Sequence, residues 1–193
     1  MTLRWVAITR WGMRYILFSA VLCLLLGVGV FDLCAADGPA TFKVSEFNFQ
    51  RPSQWEWVEV NSAMRKAQLK VVGAGAKEAA EVVFYYFGAG SGGGTDANVA
   101  RWLGQFEEPK EKTHAQVDPV TVGQTKVTYV KAEGTYRSGM PGGPVTPMAN
   151  YALVGAVIEG AEGSVFVKMT GPAAVAKAAQ ADFRKMVESA LKR

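Results

Sequence analysis

From residue 42 onward, apolar positions recur in short alternating runs. Phe42, Val44, Phe47 and Phe49 stand among Lys43, Ser45, Glu46 and Asn48, close to the period of two of a half-buried strand. Arg51-Pro52-Ser53 reads as a turn. Trp55 to Val60 alternates again, and Ala67 to Val72 predicts a further strand, broken by Gly73-Ala74-Gly75. Glu81 to Phe87 is the strongest strand signal in the chain; being apolar on both faces, it reads as central. The period then changes. Val99, Trp102, Leu103 and Phe106 fall at i, i+3, i+4 and i+7, one face of an amphipathic helix that Thr95 or Asp96 can cap and Pro109 ends. Two strands follow, near 115–122 and 124–136, joined tightly around Gly123, with a loop over Ser138–Pro147. Tyr151–Glu159 and Val165–Met169 form a second hairpin around Gly160 and Gly163. Gly171-Pro172 opens a last helix, whose buried stripe is Val175, Ala179, Phe183, Met186, Val187 and Ala190. The pattern predicts an α+β fold, a mostly antiparallel sheet of about seven strands covered by helices.

The first 36 residues follow a different rule. Arg4, Arg10 and Arg14 precede an uncharged run from Tyr15 to Phe31, and Cys34-Ala35-Ala36 supplies small residues. This is the pattern of a secretory signal peptide over 1–36, with cleavage expected after Ala36 and a single domain over 37–193. The run of 17 residues also reaches the lower edge of a membrane span, so an uncleaved inner-membrane anchor over 15–31 is the alternative. Leu33 before Cys34 and Leu22 before Cys23 do not fit a lipoprotein acceptor.

Charge and composition narrow the chemistry. Net charge is +4 for the whole chain and falls to +2 once Arg4, Arg10, Arg14 and Asp32 are removed, so a nucleic-acid footprint is not supported. One His and two Cys leave no donor set for a histidine-rich metal centre, a four-thiolate zinc site or a disulfide framework. No metal and no cofactor are expected.

Gly88-Ala89-Gly90-Ser91-Gly92-Gly93 satisfies GxGxxG between a strand and a helix, the local context of dinucleotide phosphate binding. Two features argue against that use. Hairpins follow instead of a parallel βαβ unit, and Asp96 puts negative charge where phosphate would sit. The same segment approximates a nucleophile elbow at Ser91, but the only base, His114, precedes Asp118 in the wrong order for an α/β-hydrolase triad. Asn98, Arg101, Trp102 and Gln105 share part of one helix face, as a half-buried Trp with Arg lying over it or as a ligand-binding edge. Trp55 and Trp57, two apart, point one way as core or as a stacking platform. Glu107, Glu108 and Glu111 alternate with Lys110 and Lys112 as a solvated linker. Five glycines between Gly88 and Gly94 leave backbone N–H groups accessible beside a helix N-terminus. The expected ligand-binding residues are therefore Gly90, Ser91, Gly92, Gly93, Asn98 and Arg101, with no catalytic residue assigned.

EVVFYYFGAGSGGGTDANVARWLGQF, the Gly134–Tyr136 segment, and FVKMTGP followed by a terminal helix with Phe183 resemble a family of small exported bacterial proteins of uncharacterised function. The order of strands and final helix is similar to the PsbP-like fold, an antiparallel sheet between helices. That resemblance implies binding or assembly in place of catalysis. The expectation is an exported, periplasmic or cell-envelope binding or assembly module, acting on an envelope protein or a small ligand, without nucleic acid. It would meet the membrane only through an uncleaved anchor. The alternative is a small exported hydrolase or ligand-processing enzyme using the 88–94 loop.

Overall fold

The computed structural model describes residues 38–75, 77–139 and 143–192. The expected signal peptide over 1–36, its expected cleavage point and the alternative anchor over 15–31 lie outside those residues. Among the described residues no helix is long and apolar enough to cross a membrane.

The first alternating run is two strands, β1 (Thr41–Val44) and β2 (Phe47–Gln50), paired as an antiparallel hairpin with Val44 opposite Phe47. The inward set Phe42, Val44, Phe47, Phe49 slips by one position between Val44 and Phe47. Two turn residues account for the slip, Ser45 adopting φ 53°. The remaining strands build one sheet. They are β3 (Glu56–Trp57), β4 (Arg65–Val72), β5 (Ala79–Tyr86), β6 (Gln116–Val122), β7 (Thr125–Gly139), β8 (Val145–Gly160) and β9 (Gly163–Pro172). Their order is β3-β4-β5-β9-β8-β7-β6, with every neighbouring pair antiparallel. The fold is α+β, as expected. The middle position belongs to β9, while β5, read as central, lies beside it. The β6 edge carries Pro119, and the opposite edge strand, β3, is two residues long.

Two helices serve the two faces unequally. Helix α2 (Ala173–Ser189) buries Val175, Ala176, Ala179, Phe183, Met186 and Val187 against one face, together with the β1–β2 hairpin. Phe42, Phe49 and Phe84 form edge and stacked contacts there at 5.0–5.5 Å. Trp55 is fully buried in this core and Trp57 packs edge-on to Phe42 at 5.3 Å, so both tryptophans are core. Helix α1 (Thr95–Leu103) covers part of the other face. Val99 and Trp102 join Val130, Ala132, Leu153, Val157 and Phe166 in a second, smaller cluster. Gly155 makes this possible, since a Cβ there would overlap the Trp102 ring.

Three boundaries differ from expectation. The first helix ends at Leu103 with Gly104 as its C-cap, well before Pro109. Phe106 leaves the helix to bridge Tyr136, its ring meeting that of Tyr136 edge-on at 5.5 Å. Neither Thr95 nor Asp96 caps that helix. Gly94 is the N-cap without a side-chain bond, and Thr95 Oγ1 donates instead to Glu159 Oε1 at 2.9 Å. Finally, both ends of the expected Ser138–Pro147 loop are strand, because β7 and β8 stay paired out to Gly139 and Val145.

Trp102 carries most of the attachment of α1, so Trp102→Ala is expected to cost about 3–5 kcal/mol in urea unfolding. A loss below about 1 kcal/mol would mean that the ring is not holding the helix down.

Candidate functional site

The glycine loop has a defined shape. Gly88, Gly90, Gly92 and Gly93 all take positive φ, between 70° and 93°, backbone that L side chains rarely adopt. Asn98, on the second turn of α1, fixes this loop from below. It is buried, and its Nδ2 donates to the Gly92 and Gly94 carbonyls, both at 2.9 Å. Arg101, one turn further on, is exposed and donates through Nη2 to Asn98 Oδ1. Gly92 rests on the rings of Phe87 and Phe166, where a Cβ would approach within 2.8 and 3.0 Å. Gly90, Ser91 and Gly93 are exposed.

Of the six expected residues, the four loop residues precede α1 and Asn98 lies in its first half, while Arg101, in its last turn, reaches back to Asn98. Asn98 links the Gly92 carbonyl to Arg101, and the outward groups are Gly90, Ser91, Gly93 and Arg101. His114 lies elsewhere, exposed in the turn before β6 at φ 48°. Among the described residues no hydrogen bond links it to Ser91, and no cluster of three His, Cys, Asp or Glu could hold a metal ion. Glu107 is exposed, whereas Glu108 Oε1 and Oε2 accept the Thr135 N–H at 2.9 and 2.8 Å. Hydrogen bonding to the Thr135 side chain first, and to its N–H second, holds the Glu108 carboxyl below the usual carboxylate range.

The periodicity did not reveal the second half of this face. Lys168, on the central strand, projects to the same side as Val83 of β5 and Gly155 of β8, its register partners. Its Nζ lies 3.3 Å from Gln105 Oε1 and 3.2 Å from Tyr136 Oη, and among the described residues no carboxylate forms an ion pair with it. Burial, with the charges of Arg65 and Arg101 adding to it, brings its pKa down to about 8 although Glu81 opposes the shift. Tyr136 is pushed the other way, to about 12, chiefly by burial. Beyond Lys168 the sheet is not covered by α1 and its side chains turn polar. Glu81 Oε1 accepts from Arg65 Nη1 at 2.7 Å and from Gln68 Nε2 at 2.8 Å, and Arg65 also donates to Gln68 Oε1 at 2.7 Å. Tyr85 stacks on Phe87 at 6.3 Å, and Phe87, 41% exposed, meets Phe166 at 6.0 Å.

One sequence signal did mark this place. Lys168 is the only charge in β9, set inside an otherwise apolar VFVKM run. A lone charge in a strand buried on both faces needs a partner or an opening.

No family model matches the chain, and no relative was found among curated proteins. Among solved structures, a Pseudomonas aeruginosa protein of unknown function, PA94, is similar at 13% identity with a TM-score of 0.44. The match covers 79% of this chain and 96% of that one, and a likeness at this level carries no argument.

Two outcomes follow from the geometry. Asn98→Ala removes both side-chain bonds to the loop, leaving the Asn98 N–H bond to the Gly94 carbonyl, and is expected to cost about 1–3 kcal/mol. Amide hydrogen exchange should quicken at Gly92–Thr95, and unchanged exchange there would show that the loop keeps its shape without Asn98.

The second concerns pH. Lys168 releases its proton near pH 8 in the folded chain and near 10.5 when unfolded. Between those values the unfolded chain binds more protons, so this group makes stability rise with pH. Tyr129 and Tyr136, held at about 12, act in the opposite sense above pH 10. From pH 8 to 10 the wild type is therefore expected to gain about 2 kcal/mol relative to Lys168→Met in urea melts. Parallel curves would show that Lys168 titrates as an ordinary lysine.

Proposed function

We propose that the protein is an exported binding or assembly module of the cell envelope, in keeping with its PsbP-like resemblance. Its contact surface is the α1 face of the sheet, and the occupant is an acidic segment of an envelope partner. The observation that carries this reading is Phe87. It is a large aromatic ring left in solvent at the end of β5, stacked on Tyr85 and wedged against the glycine loop at Gly92. Exposed aromatic side chains beside cations are the usual anchors of protein contacts. Met64, 63% exposed, immediately precedes Arg65, and Arg65 pairs with Tyr85 across β4 and β5. Around Lys168 the cations Arg65 and Arg101 act together with its own ammonium against one carboxylate, Glu81, while Glu159 and Asp96 lie further along, at the start of α1. A partner with excess carboxylates complements that balance and is steered toward it.

Photo-crosslinking of the full chain in its own cells tests the reading. A reactive side chain placed at Phe87 or Arg101 is expected to trap one discrete partner in the envelope fraction. The same group at Lys177, on the outer surface of α2, should not trap it. Arg101→Glu is expected to weaken the adduct formed from Phe87 at least about fivefold, an effect deepened by salt. Equal trapping from Lys177, indifference to the charge reversal, or an adduct confined to the cytoplasm would each overturn the proposal.

A further inference from the structure

A second concave site lies on the opposite face, between the middle of α2 and strands β6 to β8. Phe183 and Val154 line the cleft with the Tyr129 side chain, and its volume is about 160 Å³. That is close to the roughly 150 Å³ of an engineered cavity that takes one benzene ring. Exposed Gln116 and Gln180 stand at its mouth, so it opens to solvent.

The polar groups around the cleft are unequally satisfied. Arg184 is committed. Its Nε is 3.0 Å from Glu188 Oε1, its Nη1 is 3.6 Å from Asp118 Oδ2, and its guanidinium lies over the Tyr129 ring at 4.4 Å. Lys131, on β7 between Gln116 of β6 and Val154 of β8, lines the same cleft. No hydrogen bond or ion pair engages it among the described residues. The Tyr129 hydroxyl is fully buried and also finds no partner among them, although native folds leave few such groups unpaired. With its pKa raised to about 12 by burial, that phenol keeps its proton and remains a donor.

We infer that this cleft is a binding site for a small monocarboxylate with one ring or a branched apolar body. The body lies on Phe183, Val154 and the Tyr129 ring, and the carboxylate faces the Lys131 ammonium. Among the lining charges Lys131 is the one without an ion-pair partner, whereas Asp118 shares Arg184 with Glu188, so a single negative group is best placed at the Lys131 ammonium. The volume excludes a peptide and favours a molecule the size of benzoate. This site is independent of the α1 face and of its proposed partner.

Benzoate titrated into the isotope-labelled full chain, with benzamide as its uncharged counterpart, provides the test by NMR. Benzoate is expected to produce saturable shifts in the amides of Lys131, Gln180 and Phe183, and benzamide to bind at least about tenfold more weakly. Lys131→Met should weaken benzoate by about tenfold without moving the thermal midpoint, because the Lys131 side chain has no hydrogen bond or ion pair to lose among the described residues. Gln180→Trp, which fills the mouth, should abolish the shifts, and Lys168→Met should leave them unchanged. Absence of saturable shifts up to about 20 mM benzoate, equal binding of benzamide, or full binding by either cleft variant would overturn the assignment.

Discussion

A seven-stranded sheet has two faces to shield from water, and the described residues bring one long helix to do it. The shortfall is met by the seating of Trp102 on Gly155. A nine-residue helix is too short to be stable through its own hydrogen bonds. What keeps α1 in place is the burial of one indole where the missing Cβ lets it lie directly on the β8 backbone. The glycine loop, Asn98, Arg101 and Gln105 all take their positions from that contact, because each is part of α1 or of a segment adjoining it.

What α1 does not reach has to be soluble in another way. The uncovered part of the face, over β4, β5 and β9, replaces apolar side chains by the Arg65–Gln68–Glu81 network and by Lys168 under Tyr136 and Gln105. The face opposite is saturated with Phe, Val and Met from α2 and the β1–β2 hairpin. The two faces therefore differ in what they can do. One stores stability, and the other keeps charged and aromatic groups in place at the cost of desolvating an ammonium.

Local signals carried most of the element pattern. The glycines at 123, 160 and 163 mark the tight turns in the sequence, and five of the six expected stripe positions of α2 are buried as read. The phase slip between Val44 and Phe47 was present in the sequence too, and it encodes a hairpin within what reads as a single alternating run. Helix α1 was read too long because Phe106 keeps helical spacing after Gly104 has ended the helix; its burial comes from Tyr136, thirty residues away. Lys168 was missed for a related reason. The strand order sets β9 next to β5 across a long intervening stretch, and only that pairing brings Glu81 and Arg65 near its ammonium. Asn98 and Arg101 were legible as a pair on one helix face. That Asn98 turns inward to grip the loop depends on glycine backbone angles that composition alone does not specify.

The sheet ends abruptly on both sides. At one edge β3 offers two residues, too few to template another strand, and at the other Pro119 interrupts β6 with a residue that has no N–H to give. An all-antiparallel sheet with open edges could otherwise grow by joining its copies edge to edge. These two interruptions make such polymerisation unfavourable, so the chain can be concentrated at its site of action without its strands joining those of its neighbours.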